Sequence, residues 1–319
     1  MLRPSPRQAG TRSRLTASPV PEACLKTAPN TGRGTLACID ARPVSKTIPF
    51  IKMHGLGNDF VVIDARETAI PAMTPAVARA LGDRRTGIGF DQLILLEPSE
   101  GHDFRVRFFN CDGSEAGACG NGSRAVALLH GAPATVETGG GALRLEPLDG
   151  GARVDMGAPR FDWDAIPLAY PMDTFAMPVG WEGLDAPMAV NVGNPHAIFF
   201  VEDADAVELE RLGPIIENDP LFPERVNVNV ASLAGPDHLK LRVWERGAGL
   251  TRACGTGACA TAVAAIRRGL VASPVRVTLP GGNLVIAWEP GGSILMSGPA
   301  TESYRGTFDW DDYSAGAAG

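Results

Sequence analysis

Short apolar runs separated by glycine-containing turns fill the chain from residue 48 onward. Residues 48–54 and 60–64 are rich in β-branched and aromatic residues and flank a Gly-Leu-Gly-Asn-Asp turn, which predicts a hairpin. Residues 104–110 alternate polar and apolar positions, as a half-buried strand does. Residues 87–96 predict a turn followed by a strand, and residues 189–196 a strand followed by a polar turn. Further strands are predicted at residues 135–137, 143–145, 153–156, 226–230, 241–244, 275–279, 284–288 and 293–296.

Two segments are apolar nearly all round, the pattern of a helix enclosed by other layers. They follow the sequences Ala-Cys-Gly-Asn-Gly-Ser at 118–123 and Ala-Cys-Gly-Thr-Gly-Ala at 253–258, and Gly131 and Gly269 mark their ends. Shorter helices are predicted from Thr74, with proline at the first helical position, and over residues 206–216. Strands therefore dominate the pattern, around two buried helices.

The shared sequence Ala-Cys-Gly-x-Gly places Cys119 and Cys254 at the two helix N-termini, 135 positions apart. Free backbone N–H groups and the positive end of the helix dipole favour a thiolate there, as well as a bound carboxylate. A single free cysteine is more often a packing residue. Packing alone does not explain two copies, so the repeat predicts a pseudo-twofold protein with two facing thiols whose pKa values are lowered.

Charge and hydropathy narrow the classes of partner. The formal net charge is −7 and the sequence pI about 5.3, which argues against a nucleic-acid partner because such binding relies on a basic face. No apolar run approaches the roughly 20 residues that span a bilayer, and no apolar signal-peptide core follows the early arginines. We therefore predict a small-molecule ligand, no membrane association and a cytoplasmic location.

The remaining cysteines and the N-terminal residues do not point to further chemistry. Cys111 and Cys259 are separated from the repeated cysteines by eight and five positions, not by the C-x2-C spacing of zinc or redox sites, so both are expected to fill core and no metal is predicted. Residues 1–47 carry six arginines and two acidic residues without hydrophobic periodicity. They are predicted to be a disordered or mis-started extension, although a targeting peptide has a similar composition.

Taken together, several stretches resemble the diaminopimelate epimerase family, and the resemblance covers nearly everything from residue 48 onward. It implies an α/β (α+β) fold of two pseudo-symmetric domains, each a curled, mostly antiparallel sheet around a central helix, with the active site between them. The expected domains are residues 48–162, completed by about 298–310, and residues 163–297. The stretches that carry the resemblance are residues 52–60, 89–92, 109–114, 119–122, 193–196, 225–227, 245–249 and 254–257.

The resemblance also implies a function: a cofactor-independent isomerase that converts LL-2,6-diaminopimelate to the meso form, in lysine and peptidoglycan precursor synthesis. Cys119 and Cys254 would be the acid and base on the two faces of the α-carbon, with support from His196 and Glu245. A homodimer is implied, with Tyr304 at its contact. The implied substrate-binding residues are Asn58, Gln92, Asn110, Gly120, Asn121, Asn194, Asn227, Glu245, Arg246, Gly255 and Thr256.

Three alternatives stay open at this level. A related cofactor-independent isomerase such as a proline racemase would also use two cysteines. However, its monocarboxylic substrate has no second charged end for Arg246, whose guanidinium suits a carboxylate, or for the predicted substrate-binding asparagines. A thiol redox or metal-binding protein is disfavoured by the cysteine spacing. A pyridoxal enzyme is disfavoured because the chain has four lysines, of which two precede residue 48.

Overall fold

The computed structural model describes residues 46–314, so the prediction of a disordered or mis-started extension falls almost entirely outside the described residues. Within them, the first half forms a curled sheet whose strands are built from the predicted apolar runs. Its elements are β1 (Thr47–Gly55), β2 (Asn58–Asp64), α1 (Pro75–Gly82), β3 (Gln92–Glu97), β4 (Phe104–Asn110), β5 (Glu115–Ala116), α2 (Gly120–His130), β6 (Ala134–Thr138), β7 (Gly141–Leu148) and β8 (Gly151–Asp155).

The second half repeats this order of elements after a small hairpin, β9 (Gly180–Trp181) and β10 (Leu184–Asp185). The last strand, β19, returns to pair antiparallel with β1. The elements are β11 (Met188–Asn191), β12 (Pro195–Phe200), a 3-10 turn (Ala204–Ala206), α3 (Leu209–Glu217), β13 (Asn227–Gly235), β14 (His238–Glu245), β15 (Gly249–Thr251), α4 (Gly255–Arg267), β16 (Val275–Leu279), β17 (Gly282–Ala287), β18 (Leu295–Pro299), β19 (Thr301–Asp309) and α5 (Trp310–Ser314).

Strand pairing shows that the repetition extends to register. In the first half β2 pairs parallel with β3, and β3 pairs antiparallel with β4. In the second half β12 pairs parallel with β13, and β13 pairs antiparallel with β14. Gln92 stands opposite Phe60 in the first half, as Asn227 stands opposite His196 in the second. The halves join where β8 pairs with β18. The predicted fold of two pseudo-symmetric, mostly antiparallel sheets around central helices is therefore confirmed.

Strands β2, β3 and β12 are covered on both faces, which explains why they are continuously apolar rather than alternating. Val62, Ile94 and Phe108 point to an inner core that contains α2 and α4. Their neighbours Val61 and Leu93 point to an outer core built with α1 and α5. In the second half the outer core packs around α3. The two cysteine-bearing helices are thus enclosed, as their apolar sequences predict.

Several sequence predictions need correction. His196 was placed in a polar turn, but it lies in strand β12, which is buried on both faces and pairs with β11 and β13. The predicted helix at residues 206–216 begins three residues later and follows a 3-10 turn. Residues 159–187, which lie between β8 and β11, contribute Ile166, Leu168 and Met177 to the outer core. No described helix is long and apolar enough to cross a membrane. The domain limits given above stay a prediction.

Candidate active site

The two repeated cysteines occupy the same position in the two halves: each is the N-cap of a central helix. Cys119 (φ −144°, ψ 109°) and Cys254 (φ −120°, ψ 107°) are extended, and each sulfur accepts a hydrogen bond from the third residue of its helix. Gly122 N lies 3.2 Å from Cys119 Sγ and Gly257 N 3.3 Å from Cys254 Sγ. The predicted thiol at a helix mouth is therefore present twice, with one geometry.

Both thiols nevertheless have raised pKa values, which contradicts the prediction from the helix dipole. Burial raises the pKa of Cys119 to about 11, although the Gly122 N–H and the Arg124 guanidinium act in the opposite direction. The pKa of Cys254 is raised well above its usual value by burial and by the Glu245 carboxylate. Loss of hydration outweighs the helix N-terminus at both sulfurs. Burial therefore favours the thiol form at both sulfurs.

Glu245 connects to the second sulfur directly. It ends strand β14, accepts a hydrogen bond from the Thr251 hydroxyl, and hydrogen bonds to the Cys254 thiol. Burial raises the pKa of its carboxyl group. Thr256 Oγ1 lies 3.5 Å from the same sulfur. The carboxylate thus favours the thiol form of Cys254.

The amides predicted from the first half form two hydrogen-bonded groups. Asn58, at the tip of the first hairpin, accepts from Asn121 Nδ2 at 3.2 Å and donates to Asp91 Oδ2 at 2.9 Å. Gln92 Nε2 donates to Asn110 Oδ1 at 2.9 Å. Gln92 Oε1 and Asn121 Oδ1 are buried without a hydrogen-bond partner. Two acceptors therefore remain for a ligand that carries N–H groups.

His196 is fully buried in the second half and held between two asparagines. Its Nδ1 lies 3.1 Å from Asn229 Oδ1 and its Nε2 3.0 Å from Asn194 Oδ1. The Asn229 amide is oriented because its Nδ2 donates to Gly257 O and Thr261 Oγ1. Burial lowers the pKa of His196 to about 4, so the ring is neutral at pH 7 and donates from Nδ1 to Asn229.

Arg246 and Asn227 lie side by side next to Glu245. Asn227 Oδ1 accepts from Arg246 N at 2.9 Å, and the Arg246 guanidinium donates to Glu224 O at 2.8 Å. A buried carboxylate not predicted from the sequence, Glu217, anchors the same loop: it accepts from Gly247 N at 2.9 Å and from Trp244 Nε1 at 2.7 Å. The guanidinium keeps further N–H donors for a carboxylate.

Contacts across the pseudo-twofold axis bring the two sulfurs into one site. Asn121 Nδ2 donates to the carbonyl of Ala253, the residue before Cys254, at 3.2 Å. A Cβ atom on Gly255 would lie 3.1 Å from Asn121 Oδ1, so the glycine permits this approach of the helix mouths. Glu245 also acts electrostatically on Cys119. The mouths of the two central helices therefore adjoin.

The other two described cysteines differ from each other. Cys259 is buried in the core, as predicted, whereas Cys111 is exposed in the turn after β4, so the expectation that it fills core is wrong. Tyr304 is 50 % exposed on β19, away from the cysteines, and packs edge-to-face on Phe50. No cluster of three or more His, Cys, Asp and Glu side chains that could hold a metal occurs in residues 46–314.

Some site residues were missed by the sequence reasoning. Asp91, next to Gln92, orients Asn58 and forms an ion pair with Arg84, which also pairs with Asp59. Its position inside a family-like stretch was the available signal. Arg124 is a charged residue at the start of a buried apolar helix, and that contrast was also visible in the sequence.

Comparison with known proteins agrees with this geometry. The sequence model of diaminopimelate epimerase matches residues 50–161 and 188–302, one segment in each half. The chain belongs to the diaminopimelate epimerase family. The protein of that name from Erythrobacter litoralis is 68 % identical over 267 residues, which are 84 % of this chain and 99 % of the relative. The one from Zymomonas mobilis is 55 % identical over 269 residues, 84 % of this chain and 100 % of the relative.

Solved structures with the same fold are more distant. A PhzF-family phenazine biosynthesis protein from Bacillus anthracis superposes with a TM-score of 0.60 at 16 % identity, over 83 % of this chain and 99 % of that chain. A hydroxyproline epimerase from Agrobacterium vitis gives 0.59 at 16 % identity, over 84 % and 94 %. These similarities concern the fold alone. The family membership confirms the resemblance inferred from the sequence and the predicted class of enzyme, an epimerase.

Proposed function

We propose that the protein interconverts LL- and meso-2,6-diaminopimelate by removing the α-proton from one face and returning a proton to the other. The observation that carries the proposal is the pair of cysteine N-caps with matched backbone geometry, one from each half of a pseudo-symmetric fold. Inversion at carbon needs two acid/base groups on opposite sides of one atom. A duplicated fold supplies such an opposed pair.

One sulfur acts as a thiolate and takes the α-proton, becoming a thiol, while the other thiol donates its proton to the opposite face and becomes a thiolate. The site then holds as many protons as before, with the roles exchanged, and the reverse reaction uses the sulfurs in the opposite sense. Gly122 and Gly257 donate their N–H groups to the sulfurs. The N–H groups of Gly120, Asn121, Gly255 and Thr256 would hold the α-carboxylate and stabilise the charge that develops on it.

Neighbouring groups support each sulfur differently. Glu245 hydrogen bonds to the Cys254 thiol and favours its protonated form. His196 is neutral at physiological pH because burial lowers its pKa to about 4, so it donates one hydrogen bond, from Nδ1 to Asn229, and its Nε2 is an acceptor that faces Asn194. Neither the Glu245 nor the His196 role requires a cofactor. We expect this isomerase family to work without one.

The distal amino-carboxylate of the substrate would be bound by the predicted arginine, glutamine and asparagine side chains. Arg246 presents a guanidinium fork to a carboxylate, and the unpartnered Gln92 Oε1 and Asn121 Oδ1 are acceptors suited to ammonium groups. Asn58, Asn110, Asn194 and Asn227 would complete the set. This demand for a second charged end separates diaminopimelate from proline-like substrates. We also propose a cytoplasmic homodimer with Tyr304 at its contact, which size measurements on wild type and Tyr304→Ala would test.

Incubation of LL-diaminopimelate with the enzyme in deuterated water tests the proposal. We expect deuterium at one α-carbon of the meso product, because the incoming proton comes from a solvent-exchanged thiol. L-Proline and trans-4-hydroxy-L-proline are the controls, and neither should exchange. Deuterium exchange with proline and not with diaminopimelate would support the proline racemase alternative. Exchange with neither substrate would refute the proposal.

A further inference from the structure

Arg124 is a large, fully buried side chain and lies five residues after Cys119 in α2. Burial lowers the pKa of its guanidinium to about 10, so it still carries a full positive charge at neutral pH. Charged side chains are rarely fully buried unless they are paired with an opposite charge. Arg124 therefore needs an anion, and the rest of the fold should supply one.

No such anion is present among residues 46–314. No carboxylate oxygen lies within 4.0 Å of the guanidinium, in contrast to the ion pairs formed by Arg84, Arg107 and other arginines. Its polar contacts are Nε to Pro299 O at 3.4 Å and Nη1 to Met296 Sδ at 3.5 Å, both long. Nη2 has no hydrogen-bond partner. The cation is thus buried and uncompensated in this state of the enzyme.

The surroundings of Arg124 bring its charge close to the active site. A Cβ atom on Gly55 would lie 3.1 Å from Nη2, and one on Gly298 would lie 3.4 Å from Nε, so two glycines leave room for the group. Met296, which contacts Nη1, also lies against Gly120 and Gly255, the first residues of the two central helices. The guanidinium is therefore directly behind the two helix mouths.

The pseudo-symmetry of the fold shows that this charge is confined to one half. At the offset of 135 positions that relates Cys119 to Cys254, Arg124 corresponds to Cys259, a neutral core residue. At the same offset Asn110 corresponds to Glu245. Cys119 therefore has a cation behind it and a neutral amide at the matching strand end, whereas Cys254 has a neutral residue behind it and a carboxylate beside it.

We propose that Arg124 is the buried counter-charge that favours the thiolate form of Cys119, so that Cys119 ionises before Cys254. The inference rests on the proposed epimerase function but concerns a property of the free enzyme. Arg124 stays protonated throughout and touches no reacting atom. It is a positioning residue that acts through Cys119: when that thiol loses its proton, the unpaired cation gains the anion that the fold lacks.

The charged and titratable groups that surround the pair are few. Arg124 on the same helix and Glu245 from the other half act on Cys119, the first favouring the thiolate and the second the thiol. Cys119 and Cys259 act on Arg124. A purely structural role, in which Arg124 only holds the Pro299 carbonyl, would leave the ionisation of Cys119 unchanged. The two roles therefore differ in a measurable quantity.

The test compares wild type with Arg124→Met, which removes the charge, and Arg124→Lys, which keeps it. Each protein is alkylated with iodoacetamide from pH 6 to 11 without substrate, and modification of the Cys119 and Cys254 peptides is read separately by mass spectrometry. At a fixed pH below 11 we expect Cys119 to be alkylated at least about tenfold more slowly in Arg124→Met, which corresponds to a midpoint raised by about one pH unit, the usual effect of losing a neighbouring opposite charge. The midpoint should stay near the wild-type value in Arg124→Lys, and Cys254 should change less than Cys119.

Steady-state rates on LL-diaminopimelate give a second readout: the acidic limb of the kcat/KM profile should move to higher pH in Arg124→Met. An unchanged Cys119 midpoint with activity lowered equally at every pH would overturn the proposal and leave a structural role. Should Arg124→Met fail to fold, Arg124→Gln replaces it. Wild type alone gives an independent check, since reaction of Cys254 at lower pH than Cys119 would also refute the assignment. Absence of epimerisation with the expected thiol titration would reject the proposed function and not the role of Arg124.

Discussion

The buried histidine gives a quantitative prediction about stability and pH. His196 is fully buried, and its pKa is lowered to about 4, whereas a histidine in an unfolded chain titrates near 6.5. Between these values the unfolded chain binds a proton that the folded protein excludes. Stability therefore falls as the pH decreases, beginning near pH 6.5 and ending below pH 4. This direction of the pH dependence is the one expected for a group whose pKa is lower in the folded than in the unfolded protein.

The two pKa values set the size of the effect. Integrated between pH 7 and pH 5, a shift from about 6.5 to about 4 lowers the free energy of unfolding by about 2 kcal/mol. His196→Gln removes the titrating ring but keeps a neutral polar side chain toward Asn194 and Asn229. The variant should be less stable at pH 7, but its loss between pH 7 and pH 5 should be smaller than the wild-type loss by that amount.

Urea denaturation at pH 5, 6 and 7 measures both curves. Other titrating groups, among them the Glu245 carboxyl with its raised pKa, are common to both proteins and cancel in the difference. His102→Gln is the matched control, because it removes an exposed histidine but no buried imidazole. Parallel stability curves for wild type and His196→Gln would refute the argument that the ring is held neutral by burial.

Two further sets of substitutions test other parts of the site. Cys119→Ala and Cys254→Ala should each lower the rate of epimerisation by a factor of about 10² to 10⁴. Cys111→Ala is the control, because this cysteine is exposed, and it should leave both the rate and the thermal midpoint unchanged. A near-wild-type rate in Cys119→Ala or in Cys254→Ala would contradict the two-thiol mechanism. Glu217→Gln should lower the free energy of unfolding by about 2 kcal/mol and raise KM, because it weakens buried bonds to Gly247 and Trp244. Equal unfolding energies for Glu217→Gln and wild type in urea would exclude this anchoring role.

The sequence predicts most elements because local pattern and burial agree there. The β-branched runs at 60–64 and 104–110 are strands, and the two all-round apolar segments are the helices that lie between sheets. Strand β12 was missed because its first residues, Pro195 and His196, are those of a turn by propensity. Pairing with β11 and β13 overrides that preference, and no single-strand pattern contains this information.

The chemistry of the site divides in the same way. Cysteine at a helix N-cap follows from spacing, and both positions were predicted correctly. The direction of the thiol pKa values was wrong, because burial depends on how closely the two halves meet, and that closeness depends on contacts such as Asn121 to Ala253 between residues 132 positions apart. The helix dipole is a local effect, whereas desolvation is a property of the assembled fold.

The differences between the two halves matter more for the reaction than their likeness. A perfectly symmetric site would hold two identical thiols and no preference for the one that ionises, whereas proton transfer needs one thiolate and one thiol at once. The stereoisomers that the site interconverts contain the same bonds and differ little in energy, so after each turnover the enzyme must return easily from one protonation state to the other. A direct ion pair on either sulfur would hold one state too firmly. Arg124 lies within the helix that Cys119 begins but makes no hydrogen bond to that sulfur. This placement biases which sulfur ionises without fixing one protonation state.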